Sequence, residues 1–128
     1  MKIKSVHHIA IITDDYATSK KFYTEILGFG IIREVYRKER NSYKLDLSVN
    51  GKYQVELFSF PSPQERGSHP EAKGLRHLAF AVDNIEEAVK ELQSKGVVVE
   101  NIRIDEYTNK KFTFFSDPNG QPLELYEE

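Results

Sequence analysis

Four residues of this chain have the types and the spacing to hold a metal ion: His8, Glu56, His77 and Glu124. His8 and His77 stand 69 positions apart, and the same offset carries Ala10 onto Ala79 and Asp14 onto Asp83. Asn50-Gly51 and Asn119-Gly120 are separated by the same 69 positions, and each is followed by a carboxylate between apolar neighbours, Val55-Glu56-Leu57 and Leu123-Glu124-Leu125. The chain is a tandem repeat in which each half supplies one His and one Glu at corresponding places. Two imidazoles and two carboxylates make a borderline-hard donor set suited to Zn²⁺ or Ni²⁺ first, and also to Co²⁺, Mn²⁺ or Fe²⁺. Four protein ligands on an octahedral ion leave two positions for water or substrate, which is what a catalyst needs. Burying a carboxylate among Val, Leu and Phe costs several kcal/mol if it has no partner, and a divalent cation supplies one.

Taken singly, each residue has an ordinary explanation. A His in an apolar strand is commonly a hydrogen-bonded core residue, and a Glu in a strand commonly sits on the solvated face. The symmetric recurrence of all four points to ligation. His7 adjoins His8, and in an extended strand it would face the other way, so His8, the residue that matches His77, is the candidate ligand. His69, beside Pro70, is read as solvent-exposed.

The elements that must position these residues follow from periodicity. Residues 3–13 are rich in β-branched side chains and read as a buried strand. Asp14 is placed to cap a helix reaching about Leu27, with Gly28 in the left-handed position after it. Strands are expected at 30–38, 43–49 and 52–60, the last two joined by the tight Asn50-Gly51 turn. The stretch 61–74 holds three prolines and two glycines without apolar periodicity and reads as a linker. A strand over 75–82 restarts the pattern, followed by a helix over 84–95 with Ile85, Ala88, Val89 and Leu92 on one face, Asp83 as its cap and Gly96 as its stop. Strands at 97–104, 107–116 and 121–126 complete a second β-α-β-β-β unit. A unit of this kind covers one sheet face with its helix and leaves the other bare. The expected architecture is therefore α+β: a single domain over 1–128, built of modules 1–60 and 75–128, whose sheets form a curved mixed sheet around a metal-containing cavity.

Composition narrows the partners. There are no cysteines, so disulfides and thiolate ligands are excluded and any metal must be held by nitrogen and oxygen. Lys plus Arg (18) nearly balances Asp plus Glu (20), which gives nucleic acid or a membrane surface nothing to attract it. No segment approaches the ~20 apolar residues of a bilayer span, and Met1 to Ser5 run directly into strand pattern instead of a signal peptide. The expectation is a cytoplasmic protein that acts on a small molecule.

On these residues the sequence resembles the vicinal oxygen chelate superfamily, which holds glyoxalase I, the fosfomycin resistance thiol transferases, the extradiol dioxygenases and the bleomycin resistance proteins. The motifs are His8-Ile9-Ala10-Ile11 before Phe22-Tyr23-Thr24-Glu25-Ile26-Leu27-Gly28-Phe29, and Arg76-His77-Leu78-Ala79-Phe80 before the run from Phe114 to Leu125. The His, Glu, His, Glu order is similar to that of glyoxalase I, the lactoylglutathione lyase, whereas the thiol transferases and dioxygenases use two His and one Glu. The resemblance implies a homodimer, a hemithioacetal of a 2-oxoaldehyde and a thiol as substrate, Glu124 as the proton-moving base, and Glu56 as a ligand sharing that work. It leaves open a thiol transferase, a ring-cleaving dioxygenase and a non-catalytic binding protein. Arg33, Arg37, Lys38 and Arg40 form a basic stretch able to meet a carboxylate of the thiol, or else a solvated edge. Tyr36, Tyr43, Phe58, Phe60, Tyr107, Phe112 and Phe114 are candidates for an apolar pocket or simply for core.

Overall fold

Alternation decides the layout of each half. In Leu45-Asp46-Leu47 and Val55-Glu56-Leu57 the apolar residues recur at every second position, and a strand turns them all to one side. In the computed structural model, which describes residues 1–128, Leu45, Leu47, Val55 and Leu57 are buried together with Ile11. The elements of the first half are β1 (Ile9–Thr13), α1 (Tyr16–Lys21), β2 (Gly30–Arg37), β3 (Ser42–Val49) and β4 (Lys52–Ser59). Those of the second are β5 (Leu78–Val82), α2 (Ile85–Ser94), β6 (Arg103–Ile104), β7 (Lys111–Ser116) and β8 (Pro122–Glu127). They form two four-stranded mixed sheets, ordered β1-β4-β3-β2 and β5-β8-β7-β6. In each, the first strand runs parallel to the last and the remaining neighbours are antiparallel. This is the α+β architecture expected, in two compact units, Met1–Gln64 and Glu65–Glu128. No helix is long and apolar enough to cross a membrane.

Each helix covers one face of its own sheet, α1 packing on β4 and α2 on β8. α2 contributes Ile85, Val89 and Leu92 to a core completed by Phe115, Leu123 and Leu125. Both caps fall one residue later than the sequence pattern placed them. Asp15 Oδ1 accepts from Thr18 N at 3.1 Å and Asn84 Oδ1 from Glu87 N at 3.0 Å, while Asp14 Oδ1 accepts from Asp15 N. The first helix stays α-helical only to Lys21 and then widens into a π-turn over Phe22–Ile26. Phe22 and Tyr23 are both buried in that turn.

The Asn50-Gly51 turn has both residues at positive φ, 49° and 79°, as a two-residue hairpin of this twist requires. An unbroken register from that turn would set Glu56 opposite Leu45, a core residue. Instead the pairing shifts between Leu47 and Ser48, so that Asp46 faces Glu56 and Leu45 faces Leu57. The bulge spends one residue to keep all the leucines on the core side and both carboxylates on the other. In the second half the expected strand over 97–104 is regular only at Arg103–Ile104, although Glu100 N still donates to Phe114 O at 2.9 Å.

Candidate active site

Parallel pairing of the first and last strands brings His to Glu in each half. Ala10 lies opposite Glu56 and Ala79 opposite Glu124, and each His sits two residues before that Ala, just ahead of its strand. His8 Nε2 is 2.5 Å from Glu56 Oε2, and His77 Nε2 is 2.9 Å from Glu124 Oε2. Both carboxylates are buried, Glu56 at 6% and Glu124 at 8% exposure, and both imidazoles are partly open to solvent. The four residues singled out by sequence thus come together as two pairs. No three His, Asp or Glu side chains gather around one point.

The donor types suit a divalent ion, with two donors from each pair. Adjacent donors on an octahedron with bonds of about 2.1 Å lie about 3 Å apart, which matches the His77–Glu124 distance, while His8 and Glu56 would part by a few tenths of an ångström. The carboxylates are buried and the imidazoles accessible, so an ion entering from solvent would meet nitrogen and find charge compensation behind it.

The two pairs differ in what surrounds them. Glu56 stands opposite Asp46, and Lys44 Nζ bridges the two, 2.6 Å from Asp46 Oδ1 and 3.1 Å from Glu56 Oε1. Arg33 Nη2 donates to the other Asp46 oxygen at 3.0 Å. The result is an unbroken line of alternating charge, Arg33, Asp46, Lys44, Glu56, with His8 at its end. Burial pushes the Asp46 carboxyl up, but the bonds from Lys44 and Arg33 outweigh it and hold the group below the usual carboxylate range. Burial likewise pulls the Lys44 ammonium down, and its bonds to Asp46 and Glu56 more than reverse this. Tyr53, raised above the usual phenol range by burial and by hydrogen bonds to Glu56 and Asp46, lies against the His7 and His8 rings.

At the corresponding places in the second half the residues are apolar. Phe114 faces Glu124 where Asp46 faces Glu56, and Phe112 stands where Lys44 stands. Phe114 meets the His77 ring edge-on with centroids 5.1 Å apart. Glu124 has His77 as its ion-pair partner and no cation like Lys44 beside it.

His7 does not behave as an alternating strand residue, because β1 begins only at Ile9. Its Nδ1 lies 2.9 Å from His8 Nδ1. When His8 Nδ1 donates to His7 Nδ1, His8 Nε2 carries the lone pair a ligand needs, and when His7 donates, His8 Nε2 keeps the proton it gives to Glu56, so His7 can set the tautomer of its neighbour. Lys44, Asp46 and Tyr53 were also missed by sequence reasoning. The signal was present in the in-out alternation of Lys44-Leu45-Asp46-Leu47, but reading it needed the bulged register.

Residues 5–125 match the Glyoxalase/Bleomycin resistance protein/Dioxygenase superfamily. The chain belongs to this family. It is 63% identical to "Uncharacterized protein YaeR" of Escherichia coli, over 98% of each chain. The crystal structure of a glyoxalase family protein from Enterococcus faecalis superposes with a TM-score of 0.91 at 48% identity, covering 99% of this chain and all of that one. A more distant relative, the lactoylglutathione lyase of Schizosaccharomyces pombe, is 29% identical over the whole of this chain and 49% of its own length. Superfamily membership and fold therefore agree with the resemblance drawn from the repeat.

Proposed function

We propose that the protein is a divalent-metal-dependent lyase of the glyoxalase I kind, isomerising the hemithioacetal of a 2-oxoaldehyde to a 2-hydroxy thioester. The observation that carries this reading is the repeated pair: a buried Glu oxygen held against a His Nε2 in the same register of both halves. His8, Glu56, His77 and Glu124 would hold the ion, Zn²⁺ or Ni²⁺ first, within one chain or across a homodimer. When bound, such an ion would polarise the substrate's vicinal oxygens and make the C–H beside the carbonyl more acidic.

Glu124 is the base that takes that proton and returns it to the adjacent carbon. Its surroundings support the assignment over Glu56. Both Glu56 oxygens are engaged, one by His8 and one by Lys44, which suits a ligand. Glu124 has a single partner, His77, and faces Phe114, which leaves its second oxygen free to carry a proton. Phe112 and Phe114 make that side apolar, and Lys44 holds Glu56 in place.

Elemental analysis of purified wild type beside His77→Ala, followed by a hemithioacetal isomerisation assay on the same samples, tests the proposal. About one transition metal ion per chain, lost in the variant, is the expected result. Glu124→Gln should lower kcat by about 10²- to 10⁴-fold, the usual contribution of a positioned base. Failure to bind any divalent ion after reconstitution would overturn the metal-enzyme reading. A metal-loaded but inactive protein would direct attention to thiol transfer and ring cleavage.

A further inference from the structure

We propose that Arg37, with Arg40 beside it, forms an oxyanion-binding subsite on the sheet face that carries His8 and Glu56, taking a carboxylate or phosphate group of the substrate. The inference rests on reading that face as the side the substrate meets, but it is tested without an activity assay.

Strand parity places the residues. Lys44 Nζ reaches Glu56 and also lies 5.9 Å from the centre of the Phe58 ring, so Phe58 shares the face of Glu56, two residues further along β4. The Arg37 guanidinium lies over that ring at 4.9 Å and over Phe60 at 5.7 Å, and Arg40 lies over Phe60 at 5.6 Å. The two rings are nearly parallel, at 9°. The basic stretch seen in the sequence is thereby divided. Arg33 is taken by Asp46, and Lys44 by Asp46 and Glu56, whereas Arg37 and Arg40 form no ion pair.

Arg37 is also fixed in place. Its Nη2 donates to the fully buried Ser42 Oγ at 2.9 Å, and Ser42 Oγ in turn donates to Tyr43 O. Its Nε is the one buried side-chain nitrogen or oxygen of the chain without a hydrogen-bond partner. A partly buried cation with no counter-charge, and with an N–H left over, is an unusual element of a finished fold. Stacking on Phe58 and Phe60 satisfies the faces of the guanidinium, Ser42 takes one Nη2 hydrogen and Nε is buried, which leaves the Nη1 hydrogens and the second Nη2 hydrogen as the end-on fork that matches a carboxylate or phosphate. Arg103 stacks similarly on Phe112 and Phe114, but it is exposed and no side chain anchors it, so it serves as the control.

The test is nuclear magnetic resonance of the arginine Nε–Hε groups in ¹⁵N-labelled protein, with the Arg37 signal identified by its loss in Arg37→Lys. Inorganic phosphate, benzoate and the neutral benzamide are titrated separately. A saturable shift of the Arg37 signal is expected with phosphate, with benzoate or with both. Phosphate alone would assign a phosphorylated substrate, benzoate alone a carboxylate, and both a site open to either. Benzamide should leave the signal in place. Arg37→Met, which keeps the stem on the rings and is followed at the Arg40 signal and by isothermal titration calorimetry, should weaken binding about tenfold or more, the scale of losing a charge-assisted hydrogen bond. Arg103→Met should leave it unchanged. His77→Ala should still bind the anion even where it loses metal, so failure of the metal reading and failure of this one are separable. Absence of any saturable shift in wild type, equal binding of benzamide, or unchanged affinity in Arg37→Met with native circular dichroism would overturn the proposal.

Discussion

Glu56 and Glu124 occupy one place in the repeat and two different electrostatic settings. The first is tied into a charge line by Lys44 and Asp46, and the second faces Phe114. Asp46 is the residue on which this line depends. Because its folded carboxyl is held below the range of an unfolded Asp, about 3.9, its ionised form is favoured by folding. That contribution is complete above the unfolded value and is lost as pH falls through the lowered folded one. Asp46→Asn should therefore cost about 1–3 kcal/mol at pH 7, and wild type should lose more of its melting temperature than the variant between pH 7 and pH 3. Parallel loss in both proteins would show that Asp46 does not carry the effect. Lys44→Met leaves two buried carboxylates facing each other with no cation between them, Arg33 holding only the far oxygen of Asp46. The metal-free variant should melt below wild type, and added Zn²⁺ or Ni²⁺ should recover more stability than in wild type, since an ion would then be the sole positive charge between them. Calorimetry with and without metal measures both.

At the scale of elements, α2 is the longer helix and the one its sheet depends on most, with Ile85 fully buried and Leu92 at 5% exposure. Leu92→Ala should destabilise the chain by about 2–5 kcal/mol through the cavity it opens, and Asn84→Ala by about 1 kcal/mol through loss of the cap. Denaturant midpoints separate the two. The order of elements was legible in sequence because period-two and period-3.6 patterns change at Asp14 and Asp83, and because Asn50-Gly51 and Gly96 mark their turns. The four ligand-type residues were legible because the repeat printed them twice. The π-turn at Phe22–Ile26 was not, since it arises where two adjacent bulky rings must both be buried. Nor was the line from Arg33 to Glu56, which depends on a one-residue bulge that no spacing rule announces. His7 escaped for a related reason: alternation was assumed two residues before the strand begins.

For the whole molecule, several large apolar side chains of the first unit stand exposed on or next to its strands. Val6, ahead of β1, and Ile12, opposite Phe58, are 68% and 54% exposed, and Ile31 and Ile32 on β2 are 53% and 50% exposed. Burying such residues is worth about 1.5–3 kcal/mol each, which supports the proposal of a homodimer. Analytical ultracentrifugation should give about twice the 14.8 kDa chain mass, and Ile12→Asp should shift the protein toward monomer. A wild-type mass of one chain at micromolar concentration would contradict the dimer.

The repetition of the donor pair has a consequence for how such a protein can change. Lys44 and Asp46 surround one copy with charge, and Phe112 and Phe114 surround the other with aromatic rings, yet each His still reaches its Glu. A substitution around one copy leaves the other copy's own hydrogen bond intact. The surroundings of each pair can therefore change separately while the donor types of both stay the same, a freedom that a site encoded only once does not have.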